Sequence, residues 1–226
     1  MKVRVLYSIY MVNLDHIDHV FRKDYEKGTL SELDVLSDPL DQFKVWFDEF
    51  VLAKATQPNS MILSTVGSTG VPHSRVVLLK HVDEEGFVFF TNYTSQKAED
   101  MAFNSCVSLL FFSIELERQI HISGHVKKVS YDASNVYFKS RPFDSQIAAI
   151  ASRQSQRVES RHYLERSFSH LKKTYEQSLP ECPEYWGGYC VVPEAYEFWQ
   201  GRPSRLHDRI CYEKKGDVWN LFRKAP

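Results

Sequence analysis

The chain has 226 residues, 43% of them hydrophobic and 25% charged, which is ordinary globular composition with enough length to bury a substantial core. Lys plus Arg number 28 against 29 Asp plus Glu, a net charge of −1, so the composition argues against a general nucleic-acid or membrane footprint and any anion site must be local. Aromatic residues at 14% favour a β-rich core or stacking surfaces.

The first 20 residues open with MKVRVLYSIYMV, basic residues and then a short apolar run. Ser8 breaks the run and no small-residue cleavage site follows. The stretch faintly resembles a signal peptide but is too short to span a membrane, and it reads as a poorly ordered or packed extension in preference to a targeting signal. In SDPLDQFKVWFDEFVLAKA, Ser37 is the expected N-cap and Pro39 lies in the first turn. Leu40, Phe43, Trp46, Phe47, Phe50 and Val51 recur at helical spacing, which predicts an amphipathic helix. The runs SMILSTVG, SRVVLLKHV, GFVFFTN, CVSLLFFSIE and RQIHISGHVKKV then read as strands, separated by turn chemistry at GSTG and DEEG. A short helix, SQKAEDMAFN, interrupts them, with Ser95 as its cap. DASNVYFKSR and ESRHYLERSFSHLKKTYEQ read as helices, the second with Leu164, Phe168, Leu171 and Tyr175 on one stripe. Strands return in GGYCVVPEAYEFWQ, RLHDRICYE and VWNLFRKAP, with a KKGD turn between the last two. Antiparallel strands with helices at the edges predict an α+β fold, with a barrel as the sheet's form.

Cys106, Cys182, Cys190 and Cys211 show no C-x-x-C spacing, and Cys106 and Cys190 read as small buried hydrophobes. A reduced, cytoplasmic protein without a metal site is the expectation. The standard dinucleotide, P-loop, hydrolase and zincin signatures are absent. What remains is a set of cations at element ends. Arg75 and Lys80 bracket the strand RVVLLK, and Lys97 sits in the first turn of a helix, where backbone amides favour an anion. Taken singly, each also fits an ordinary solvated surface charge.

The strongest local anomaly is EFWQGRPSRLHDRI, residues 197–210. Read as a strand, it puts Arg205, His207 and Arg209 on one face beside Trp199. Three groups of like or titratable charge suit a charged planar ligand better than a plain edge strand. A phosphorylated aromatic molecule has that character.

The stretches SRVVLLK, FFTN with SQKAEDM, LERQ, YFKSRPFDSQIAAIASRQS, YWGG and EFWQGRPSRLHDR resemble the pyridoxine (pyridoxamine) 5′-phosphate oxidase family. The resemblance runs from about Phe21 to Pro226, so residues 21–226 read as one domain that includes a C-terminal dimerisation and substrate region. It implies an FMN-binding split β-barrel, antiparallel and Greek-key-like with peripheral helices, and a homodimer. It implies oxidation of pyridoxine or pyridoxamine 5′-phosphate to pyridoxal 5′-phosphate, with dioxygen as acceptor, hydrogen peroxide as product and ammonia released from the amine. Carried over by residue, Arg75, Val76, Val77 and Leu78 line FMN, and Phe90 and Thr91 end the next strand against it. Gln96 and Lys97 lie at its phosphate, Gln119, Gln154 and Ser155 add polar contacts, and Trp199 and Arg209 close the site. Substrate contacts fall on Lys80, Tyr137, Arg141 and Ser145 as a phosphate clamp. Arg205 and His207, with Leu206 between them, fall over the substrate ring as the catalytic pair that holds the reacting group and assists proton loss. Arg22, Lys23, Asp24 and Tyr25 match a segment that covers the site. Gln96 departs from the family, which usually carries a second basic residue there. A split-barrel flavin reductase is disfavoured by the clamp and the RLHDR stretch, whereas a non-catalytic pyridoxal phosphate carrier would look the same in residue types.

Overall fold

A computed structural model describes residues 24–226. Helix α1 (Pro39–Leu52) is the first helix among the described residues. Its cap is Asp38, one residue after the expected Ser37, and the Asp38 carboxylate accepts from the N–H groups of Leu40 (2.7 Å) and Asp41 (3.2 Å). Asp38→Ala is expected to lower stability by about 1 kcal/mol. Ser37→Ala is expected to leave it unchanged, and urea midpoints at constant m separate the two.

The strands are β1 (Ser60–Val66), β2 (Pro72–Leu78), β3 (His81–Asp83), β4 (Gly86–Asn92), β5 (Cys106–Ser113), β6 (Arg118–Lys128), β7 (Trp186–Gln200), β8 (Asp208–Lys215) and β9 (Val218–Arg223). They form one antiparallel sheet in the order β2-β1-β5-β6-β7-β4-β3, with β8 added to β7 and β9 to β8. The sheet curls so that its two end strands adjoin: only Leu79 and Lys80 separate β2 from β3, and Lys80 N–H donates to Val88 O at 2.8 Å, extending the β3–β4 ladder. A β-bulge between Ser123 and Gly124 sharpens the bend. Gly124 is required there, because a Cβ would lie 2.0 Å from Val192 O.

Register assigns the two faces of the sheet. On the inner face Leu63, Leu109, Phe111, Ile120, Ile122, Phe198 and Ile210 are fully buried. Helix α1 seals them: Phe43 packs on Phe87 and Phe111, and Trp46 on Phe198. On the outer face the pairings line up Val76, Ile62, Leu110, His121, Glu197 and Cys211 in one row. The neighbouring row runs Phe112, Gln119, Trp199, Arg209. Val76 is 64% exposed and Phe112 50%.

The other helices are α2 (Gln96–Phe103), α3 (Tyr131–Ser140), α4 (Phe143–Ala151) and α5 (Arg161–Thr174). Ser95 precedes α2 as expected, but its hydroxyl donates to Asn92 O at 2.7 Å and gives the helix no side-chain cap. Helix α4 is absent from the sequence reading: it starts directly after Pro142 and lasts only nine residues, too few to show a period. The stripe on α5 is real but shallow, since no α5 residue is fully buried. Two further expectations are corrected. Cys106 is exposed, at the outward-facing start of β5. The stretch RLHDRICYE is strand only from Asp208, because Pro203–Arg205 forms a 3₁₀ turn. Among the described residues no helix is long and apolar enough to cross a membrane.

Candidate active site

Edge strand β2, the end of β4 and helices α2, α3 and α4 enclose a cavity of about 820 Å³, within the usual range for small-molecule sites. Arg75, Val76, Val77 and Leu78 form one wall, and Phe90, Thr91, Gln96 and Lys97 another. Lys80, Tyr137, Arg141, Ser145, Gln154 and Ser155 complete it. Residues from six separate stretches of the chain thus share one space.

Lys97 sets the chemistry of one end. It is only 7% exposed, and its Nζ donates to Thr91 Oγ1, Ser95 Oγ and Gln154 Oε1, each at 3.1 Å. All three acceptors are neutral. Burial, then the nearby Arg75 charge, brings its pKa down to about 8. Arg75 Nη1 donates to Thr65 Oγ1 at 2.7 Å and leans toward Asp100, with Nη2 3.8 Å from Oδ2. Asp100 is 2% exposed and also accepts from Thr65 Oγ1 (2.7 Å), Gln96 Nε2 (3.1 Å) and His73 Nδ1 (2.9 Å). Desolvation pushes its pKa up, but these hydrogen bonds outweigh it and hold the carboxylate below its ordinary range.

At the other end Arg141 lies 4.8 Å over the Trp186 ring, and its Nη1 is buried without a hydrogen-bond partner among the described residues. Burial pushes its pKa below the usual arginine value, while Tyr137 and Cys182 oppose the shift. Phe90 stacks on Tyr137 with centroids 4.0 Å apart and on Trp186 at 5.5 Å. Trp186 lines the cavity, as do Asn92, Pro142, Ala148, Ala149 and Ser152, and the sequence reading assigns a role to none of them. The YWGG motif held a signal for Trp186, but only its neighbourhood shows that it seats a guanidinium.

The remaining expected residues gather elsewhere. Trp199, His207 and Tyr25 form an aromatic cluster, with centroids 4.7 Å from Trp199 to His207 and 5.7 Å from Trp199 to Tyr25. Gln119 and Arg209 flank Trp199 in register. Arg205 and Leu206 lie in the turn beside them. The strand reading that placed Arg205, His207 and Arg209 on one face is therefore corrected: Pro203 turns the chain before β8 begins. Arg209 is already engaged, with Nε and Nη2 donating to the two Glu197 oxygens at 2.9 and 2.8 Å. Asp208 ties this region to the start of the described chain, accepting from Leu30 N–H at 3.1 Å and Arg223 Nη1 at 2.7 Å. Asp24 is exposed, and Arg22 and Lys23 lie outside the described residues. None of Gln119, Trp199, Arg205, Leu206, His207 or Arg209 lines the cavity. Gly188 of β7 pairs with Phe90 and Trp199 lies eleven residues further on, about 36 Å of strand at about 3.3 Å per residue.

Comparison with known proteins divides the chain into two matches. Residues 47–175 match the family model described as pyridoxamine 5′-phosphate oxidase, and residues 186–226 match the pyridoxine 5′-phosphate oxidase C-terminal dimerisation region. The chain is 50% identical over 206 residues to a pyridoxine/pyridoxamine 5′-phosphate oxidase of Cupriavidus pinatubonensis, covering 91% of this chain and 97% of the relative. It is 46% identical to the protein of that name from Thermosynechococcus vestitus, again covering 91% and 97%. Among solved structures, PhzG from Burkholderia lata, crystallised with tetrahydrophenazine-1-carboxylic acid, superposes with a TM-score of 0.84 at 27% identity, covering 90% of this chain and 100% of that one. The antiparallel half-barrel, the cavity at its seam and these matches agree: the chain belongs to the pyridoxamine 5′-phosphate oxidase family.

Proposed function

We propose that this protein is an FMN-dependent oxidase that converts pyridoxamine 5′-phosphate and pyridoxine 5′-phosphate to pyridoxal 5′-phosphate, reducing dioxygen to hydrogen peroxide and releasing ammonia from the amine. The observation that carries the reading is a pair of cations without anionic partners in one cavity. Lys97 has only neutral acceptors, and Arg141 has an unused buried nitrogen. Burying unpaired cations is costly, so a site that keeps two of them is suited to anionic ligands.

The residues fit FMN at the Lys97 end. Arg75, Lys97, Thr91 and Gln154 would hold the phosphate, and the edge of β2 from Val76 to Leu78 offers unpaired backbone groups to a planar ring. FMN, when bound, supplies the two-electron acceptor. Lys80, Arg141, Tyr137 and Ser145 would hold the substrate phosphate and orient the ring.

The Trp199, Arg205, His207 and Arg209 group completes the site only if it comes from a second copy. The exposed apolar outer face, with Ile62, Val76, Leu78 and Phe112, is suited to self-association into a two-fold dimer. The match of residues 186–226 to a dimerisation region supports the same arrangement.

Gln96 tempers the phosphate end. Asp100 already accepts from its amide, so a guanidinium placed at 96 meets that carboxylate first. Gln96→Arg alone should tighten FMN binding by no more than about 0.5 kcal/mol. Paired with Asp100→Asn it should gain about 1.5 kcal/mol, and FMN titrations of the flavin-free proteins at low salt compare them.

The test of the function is a peroxide assay with pyridoxamine 5′-phosphate on FMN-loaded protein. Stoichiometric peroxide and pyridoxal 5′-phosphate are expected. Tight pyridoxal phosphate binding with no peroxide would make the protein a carrier instead.

A further inference from the structure

His207 is held by its own loop. The Arg202 main-chain N–H donates to His207 Nδ1 at 3.1 Å. Inside that bracket, Leu206 N–H closes on Pro203 O at 3.2 Å, and Ser204 and Arg205 both adopt left-handed conformations, with φ of 57° and 62°. Non-glycine residues in that region cost about 1 kcal/mol or more each, so the turn persists because its surroundings impose it. The ring packs against Trp199 and Tyr25, 4.7 and 5.8 Å between centroids.

A neutral imidazole has one N–H and one bare nitrogen. Here the bare nitrogen is Nδ1, occupied by a main-chain donor, so the proton sits on Nε2. A second proton could enter only at Nδ1, by breaking that bond. Burial first, then the Arg205 charge, lowers the His207 pKa, against an opposing pull from Asp208, and so the neutral ring is favoured. Arg205 can only donate.

We propose that His207 serves the substrate as a hydrogen-bond donor through Nε2–H and accepts no proton from it. This rests on the oxidase reading above and reverses the base role that the RLHDR stretch suggested. Arg205 and His207 together then present donors and no base. They orient an acceptor atom on the substrate.

Amide variants discriminate. A glutamine at 207 places its NH2 near the Nε2 position and can donate, but it cannot take up a proton. His207→Ala should lose at least about tenfold in kcat/KM, while His207→Gln should stay within about threefold of wild type, both with unchanged FMN content. Equal loss in the two variants would overturn the donor role. A second readout needs no turnover: ¹⁵N-edited NMR of the flavin-free protein near neutral pH should show His207 protonated at Nε2 and bare at Nδ1. A proton on Nδ1, or a charged ring, would overturn the proposal. Absence of peroxide from the wild type, by contrast, would sink the oxidase reading and leave the NMR result to decide the tautomer.

Discussion

Arg141→Ala is expected to raise KM for pyridoxamine 5′-phosphate by about ten- to a hundredfold, with FMN content unchanged. The guanidinium lies on Trp186, lines the cavity and keeps Nη1 unpartnered among the described residues. A hydrogen bond to a charged group contributes about 1.5–3 kcal/mol, and each 1.36 kcal/mol is about a factor of ten. The same residue should be a liability to the empty fold. A half-buried cation without a counter-ion opposes folding, so Arg141→Met, which keeps the stem's packing, should raise Tm while it damages turnover. A variant that lost stability and KM together would show that Arg141 serves packing and not an anion.

Lys97→Met is expected to weaken FMN binding by about ten- to a hundredfold while leaving riboflavin binding unchanged. Riboflavin lacks the phosphate, so the two titrations isolate the charge contact from the ring contact. The wild-type pH dependence follows from the Lys97 pKa of about 8 in the flavin-free protein. Below that pH the ammonium is present and ready to bind. As pH rises through 8 the free protein loses the proton that binding requires, so affinity should fall by up to about tenfold per pH unit. On the acid side the phosphate gains a proton near about pH 6, which also weakens the contact. Affinity should therefore peak between the two, and the alkaline limb should vanish in Lys97→Met. A flat alkaline limb in the wild type would mean that another group neutralises the phosphate.

The strands were legible because alternation on a half-buried sheet leaves a period of two, as in RQIHISGHVKK, or because a short apolar run such as GFVFFTN is bounded by turn residues. Helix α1 announced itself through Phe43, Trp46 and Phe50, although its cap lay one residue later than expected. Helix α4 left no trace, since nine residues after a proline show too little period. The cavity cations Arg75, Lys80 and Lys97 stood out as charges, although Arg75 lies in the middle of β2 and not at its end as expected, but their partners did not. Asp100, Thr65 and His73 come from three different elements and meet only through folding. Nor could pattern reveal that Pro203 breaks the RLHDR strand, because a charged alternating run and a turn of the same residues look alike. The motif order that carried the family resemblance says nothing of distance, and so it did not disclose that the expected site divides into two groups at opposite ends of β7.

That division makes one measurement decisive. If the site is built from the cavity of one copy and the Arg205 group of another, Arg141→Ala and Arg205→Ala protomers should complement each other. Each homodimer carries two damaged sites. A hybrid carries one doubly damaged site and one intact site. Random mixing makes half of the dimers hybrids, so the refolded mixture should recover about a quarter of wild-type peroxide production, provided the dimer is two-fold and the sites are independent. Activity no higher than the mean of the two parent variants, with hybrids present by mass spectrometry, would contradict the shared site.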